Sequence, residues 1–255
     1  MFQKQKSIMF CMITITCMFA VIPNVYAMHI MEGYLTPRYC IAWGVISIPF
    51  LLWGIHSIQN ILKQDRKNIT LLAMSGAFIF VISSLKIPSV TGSCSHMTGT
   101  ALGAILFGFA PISVLGMIVL LFQAILLAHG GLTTLGANIF SMAIAGPFLS
   151  YILFQFCKKC NINKKMSIFI AAFLGDLFTY CITSIQLAFA YPSMLGGISA
   201  SIIKFLGVFA PTQLPLAIIE GILTVMIMIV LETYAIPEMK LIGLINEEVQ
   251  YEQKK

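Results

Sequence analysis

Seven apolar stretches, at about 39–61, 69–87, 95–110, 111–128, 136–157, 166–190 and 212–235, follow one another along the 255 residues. A helix needs about 20 such residues to cross the hydrocarbon core of a bilayer, and in lipid only helices and closed barrels satisfy every backbone polar group. The expected fold is therefore an all-α integral membrane protein with about seven transmembrane helices. Composition agrees: 59% of residues are apolar and 9% charged, with a mean hydropathy of +0.95, far outside the soluble range. The weakest pair is 95–110 and 111–128. Pro111 divides a run that is short for two full spans, so one member is expected to be broken or to start below the membrane surface.

Ahead of these stretches, Lys4 and Lys6 precede an apolar segment from Ile8 to Ile22, and Pro23-Asn24 breaks it before Val25-Tyr26-Ala27. That layout is expected to be a cleavable signal peptide over 1–27, with small Ala27 at the cleavage position and residues 28–255 forming a single transmembrane metal-binding domain. Cleavage makes Met28 the new N-terminus, followed at once by His29. With that terminus outside, seven crossings put Lys63, Arg66, Lys67, Lys158, Lys159, Lys164, Lys165, Lys240, Lys254 and Lys255 in the cytoplasm and only Arg38, Lys86 and Lys204 outside. Such a bias toward the inner face is what sets membrane orientation. The chain is expected to be a multi-pass protein of the cytoplasmic membrane with its mature N-terminus outside and its C-terminus inside. The same topology brings His29, His96 and His129 to the outer end, whereas His56 falls near the inner end of the first span.

The net charge of +6 does not imply nucleic acid. The basic residues cluster between apolar runs, with no aromatic-interleaved stripe to follow a phosphate backbone. The seven cysteines (Cys11, Cys17, Cys40, Cys94, Cys157, Cys160 and Cys181) are scattered through apolar stretches and form no disulfide framework. Cys157-Lys158-Lys159-Cys160 is a CxxC without a second pair, on the inner side. The chain carries no Gly-Lys-Ser/Thr phosphate loop, so ATP-driven transport requires ATP hydrolysis by another subunit. Two similar halves and a charged relay through successive helices, the marks of a repeat-built carrier, are missing as well.

A free amine at Met28, the next backbone nitrogen and the His29 imidazole can wrap one metal ion in fused chelate rings, and a second imidazole completes a four-nitrogen set. Such an array suits late first-row divalent ions. With reference pKa values of about 7.7–8.0 for the amine and about 6.5 for imidazole, both groups are expected to lose protons to a metal near neutral pH. Binding should weaken on acidification. Taken alone, Met28-His29 is simply the start of a mature chain, and His96 alone is an ordinary hydrogen-bonded histidine.

The surrounding residues add to this. Met28-His29-Ile30-Met31-Glu32-Gly33-Tyr34-Leu35, Gly92-Ser93-Cys94-Ser95-His96-Met97-Thr98-Gly99-Thr100, Ala128-His129-Gly130-Gly131-Leu132-Thr133-Thr134-Leu135-Gly136-Ala137-Asn138 and Gly175-Asp176-Leu177-Phe178-Thr179-Tyr180 together resemble four blocks of the CbiM family. Its members are the substrate-binding membrane (S) components of energy-coupling-factor cobalt transporters, and the resemblance covers essentially the whole mature chain. It implies a square-planar site of the Met28 amine, the His29 backbone and ring nitrogens and the His96 ring. It also implies Co²⁺ as transported substrate for cobalamin biosynthesis, with no organic cofactor. The partners implied are a transmembrane coupling subunit, two cytoplasmic ATPase subunits and a small accessory membrane subunit. Nickel relatives more often carry Pro-Asp where this chain has Met31-Glu32, which favours cobalt, with Ni²⁺ as the alternative.

Glu32, His129 and Asp176 are expected to support the site from outside the ligand set, Glu32 by anchoring the inserted tail and His129 by hydrogen bonding. Cys94 is left out, since soft sulfur would shift preference toward copper(I) or zinc. Asp176 and Glu220 lie inside predicted spans, where ionisable groups are costly. A self-sufficient secondary metal carrier would use them as an ion relay. An intramembrane metalloenzyme would use His96, His129 and Asp176, but the chain has no His-Glu-x-x-His or other hydrolytic motif, which argues for a transporter subunit and against an enzyme.

Overall fold

The computed structural model describes residues 29–88 and 94–244; the expected signal peptide at 1–27 and the expected ligand Met28 lie outside the described residues. Within them, α1 (Pro37–Gln64), α4 (Phe109–Leu126), α5 (Leu135–Lys159), α6 (Lys164–Ala190) and α7 (Gly197–Tyr234) are long and apolar enough to cross a membrane. A shorter apolar helix, α2 (Asn68–Ser84), follows α1. Two short helices complete the set, α3 (Thr100–Phe107) and α8 (Ile236–Leu241). A two-residue antiparallel pair, β1 (Ile87–Pro88) with β2 (Cys94–Ser95), leads into α3.

The lipid-facing surface can be read on α1, where Ile41, Val45, Ile48, Leu52 and Ile55 recur three or four residues apart and are all exposed. That spacing lays one stripe along a helix. Inside, α6 packs along α7 and against α5. One buried cluster joins Leu71, Leu102, Leu106, Phe154, Ile168 and Met239 at the end of the bundle where α8 lies. Another joins Ile30, Leu35, Tyr180, Leu187 and Phe209 at the opposite end.

The two stretches of the run around Pro111 do not form equal spans. The stretch expected to cross at 95–110 is an extended segment followed by the eight-residue α3, and Gly108, with φ of +83°, separates α3 from α4. A residue with a Cβ rarely adopts that conformation, and glycine does so freely. Pro111 itself lies in the first turn of α4, where its missing N–H costs nothing. The last span also differs from expectation: it begins at Gly197 rather than near 212. At about 1.5 Å per residue its 38 residues reach about 57 Å, well beyond the hydrocarbon core.

Candidate metal centre

His29 stands at the head of the described chain, yet it is buried, as is Ile30 after it. A helix terminus draws the segment in. Asn138 accepts from the Ile30 N–H (2.9 Å) through Oδ1 and donates to the Ile30 carbonyl (3.1 Å) through Nδ2, while Thr134 Oγ1 donates to that same carbonyl (2.6 Å). One side-chain amide thus pairs both backbone groups of one residue, as a neighbouring strand would. Gly131 permits the approach, because a Cβ there would meet Glu32 Cα at 2.5 Å. Glu32 accepts from the Thr133 N–H (3.1 Å), and the Thr133 hydroxyl first and that N–H second hold its carboxyl below the usual range.

His96 arrives on the extended segment before α3. Buried non-helical backbone must find its hydrogen bonds within the protein, and here α7 supplies them. Glu220 accepts from the Thr98 N–H (2.6 Å), the Thr98 hydroxyl (2.8 Å) and the Gly99 N–H (2.9 Å). Gln213 donates to the His96 carbonyl (3.2 Å) and to Asp176 on α6 (2.5 Å). Asp176 therefore connects to the His96 backbone through Gln213 rather than directly. His96 Nδ1 lies 2.9 Å from the Met97 carbonyl. Since a carbonyl only accepts, Nδ1 carries the proton, and the bare, buried Nε2 has no hydrogen-bond partner among the described residues. A buried, unpartnered nitrogen lone pair is a ligand atom in waiting.

Three imidazoles meet at this point. His29 stacks on His96 (centroids 4.4 Å, planes 13° apart), and His129 stands edge-on to both, 4.5 Å from His29 and 5.1 Å from His96. One ring nitrogen from each lies within 4.8 Å of the others. His129 Nε2 is 2.5 Å from His29 Nδ1, a hydrogen bond made directly onto a ring of the expected ligand set. His56 is exposed on α1 and outside the cluster.

The titration expected from reference values is corrected by burial. Desolvation pushes His29 well below the usual imidazole range, with the charges of His96 and His129 adding to it. Desolvation likewise takes His96 down to about 4 and His129 to about 2. All three rings are neutral at physiological pH, the form that binds metal.

Sequence reasoning did not find Asn138, Thr134, Gln213 or Met142. Met142 Sδ lies 3.2 Å from His29 Nε2. Asn138 and Thr134 stood inside a block already singled out, whereas Gln213 and Met142 carry no local signal.

These features define a multi-pass helical membrane protein with a buried imidazole cluster at one end of its bundle. The family described as "Cobalt uptake substrate-specific transmembrane region", CbiM, matches residues 29–237, and the chain belongs to it. Relatives named "Cobalt transport protein CbiM" include one from Lachnoclostridium phytofermentans, 65% identical over 244 residues covering 96% of this chain and 98% of that protein. Another, from Ruminiclostridium cellulolyticum, is 54% identical over 241 residues, 94% of this chain and 97% of that protein. The crystal structure of a truncated transition metal transporter superposes with a TM-score of 0.69 at 28% identity, over 81% of this chain and 99% of that one. Membership places the chain among transport proteins, as the cobalt-uptake substrate-specific component.

Proposed function

We propose that the chain captures Co²⁺ outside the cell in a nitrogen chelate and presents it to an ATP-driven uptake complex. The proposed ligands are the Met28 amine freed by cleavage after Ala27, the His29 backbone nitrogen, His29 Nδ1 and His96 Nε2. The observation that carries this reading is the burial of His29 in a cluster where His96 offers an unpartnered nitrogen. His29 Nδ1 is the ring nitrogen able to close a six-membered chelate with its own backbone nitrogen. His129 donates to that atom until the ion replaces it.

In this reading the bias of Lys and Arg toward one set of loops keeps the N-terminus outside and the C-terminus inside. A coupling subunit, two cytoplasmic ATPases and a small accessory membrane subunit supply the machinery, and the coupling subunit reorients this one so that the ion leaves inward. The same ligands would hold Ni²⁺, and Met31-Glu32 is what favours cobalt.

Intact mass and terminal sequencing of the purified protein, with metal quantified on the same sample, test the reading. A chain starting at Met28 with about one Co²⁺ or Ni²⁺ per molecule is the expected result. A purified chain retaining Met1 has no amine at Met28 and would remove the proposed chelate.

Proton release gives a further expected outcome. The buried ligand rings of His29 and His96 are already neutral, so they release nothing when the ion enters. The amine, protonated below about 7.7–8.0, gives up one proton and the coordinating amide another, so about two protons are expected at pH 6. Rings titrating near 6.5 would raise the total to about 3.5. Calorimetry in buffers of different ionisation enthalpy measures the number. Affinity should fall as pH drops through the range of the amine, and the rings should add to that loss only near pH 4, where His96 takes up a proton.

A further inference from the structure

We propose that Met142 sets the tautomer of His29, and thereby makes Nδ1 the chelating nitrogen. The inference deepens the chelate reading and rests on it.

The segment Ile139–Ala145 of α5 is π-helical, a widened turn that is frequent at functional sites. Carbonyls just before it are drawn to partners outside the helix: Ser47 donates to the Gly136 carbonyl (3.2 Å) and Gln186 to the Ala137 carbonyl (3.1 Å). Gly116 on α4 gives the turn room, since a Cβ there would meet the Ala143 Cβ at 2.5 Å. The outcome is that Asn138 and Met142, four residues apart, grip consecutive residues of the inserted tail. Asn138 takes the backbone of Ile30, and Met142 takes the ring of His29.

Both rings that meet the ion then have their tautomers decided by groups of fixed polarity. A thioether sulfur accepts weakly and never donates. With Met142 Sδ at 3.2 Å from His29 Nε2 and both residues buried, a satisfied pair requires Nε2 to carry the proton. His29 Nδ1 is then a bare lone pair, and the His129 Nε2–H donates to it. The partner at Nδ1 could not make this choice, because an imidazole nitrogen either donates or accepts. The partner at Nε2 can make only one. His96 is set the opposite way by the Met97 carbonyl, with the proton on Nδ1 and the lone pair on Nε2. The two rings thus present different nitrogens, and each is the one its place in the chelate needs: Nδ1 next to its own backbone nitrogen, Nε2 from across the site. Because the sulfur bonds the far edge of the His29 ring, it stays out of the coordination sphere.

The test is nitrogen NMR on the metal-free protein purified in detergent with ¹⁵N-labelled histidine, which reads the tautomer without any metal. His29 should show a protonated Nε2 and an unprotonated Nδ1; a protonated Nδ1 overturns the proposal. Met142→Leu, close in size but with no acceptor, should move His29 toward a mixture of tautomers. It should also weaken Co²⁺ binding roughly tenfold, with thermal stability near that of the parent. A tautomer unchanged in Met142→Leu overturns the assignment, as does a metal–sulfur distance of bonding length in X-ray absorption of the Co²⁺-loaded protein. Should the leucine variant not fold, the parent spectrum still decides. Failure of the chelate itself would appear separately, as cobalt bound without the Met28 amine while the His29 tautomer stays as described.

Discussion

Inserting one glycine between Ala27 and Met28, with cleavage still after Ala27, should lower Co²⁺ affinity by roughly a thousandfold or more, about 4 kcal/mol. The amine, the following amide nitrogen and His29 Nδ1 form a five-membered and a six-membered chelate ring only when histidine is the second residue. One inserted residue moves the amine about 3.8 Å along the chain. The amide nitrogen of His29 then lacks the anchored amine beside it that makes loss of its proton favourable. A wider chelate through the amine, two amides and His29 Nδ1 would need room beside His29 and Ile30, which are both buried, so the change disables the chelate while leaving the sequence from His29 onward unaltered. The measurement is Co²⁺ titration of the purified variant, with its N-terminus verified by mass. The same experiment separates the chelate from a site made of His29, His96 and His129 alone, which their mutual distances within 4.8 Å also permit. A three-imidazole site keeps its affinity when a residue is added upstream. Binding retained in the longer chain, and retained again after its terminal amine is acetylated, would falsify the N-terminal chelate, and coordination would then be assigned to the three rings.

The gathering of His29, His96 and His129 was legible because counting crossings decides which loops share an end of the bundle, and no packing detail is needed for that. The long spans were legible from apolar run length for the same reason. What was not legible depends on what lies across the bundle. The extended stretch before α3 looked like part of a span because it runs straight into the apolar residues of α3. It unwinds because Glu220, Gln213 and a glycine at 108 make a non-helical path affordable. The early start of α7 was hidden in a stretch whose Gly, Ser and Lys residues read as loop. The imidazole titration was misjudged from reference values because burial, which lowers all three rings, is a property of the folded bundle. Met142 was invisible: one methionine among 15 acquires meaning only when a π-turn aims it at a ring 113 positions away.

Glu220→Ala is expected to be as damaging to metal capture as removing a ligand, although Glu220 touches none. Its carboxylate accepts three hydrogen bonds from Thr98 and Gly99, and alanine leaves two backbone N–H groups and a hydroxyl without partners inside the bundle. Each orphaned buried donor costs about 1–3 kcal/mol, so the two amides alone cost about 2–6 kcal/mol. The segment can relieve this only by moving, and His96 moves with it. A displaced His96 converts that cost into an affinity loss of roughly a hundredfold or more at about 1.4 kcal/mol per factor of ten. Glu220→Gln keeps one acceptor oxygen and turns an NH₂ toward one of the donors, so its loss should be smaller, roughly tenfold. Thermal unfolding in detergent, measured beside Co²⁺ affinity, distinguishes a misplaced His96 from a collapsed bundle: the glutamine variant should stay folded and bind weakly. Full affinity in that variant would mean that Gln213 and the Met97 carbonyl hold His96 without help from Glu220. The same hydrogen bonds argue against Glu220 as the ion relay of a stand-alone carrier. A relay carboxylate has to release its partners on every cycle, and this one would let go of the backbone that carries the ligand.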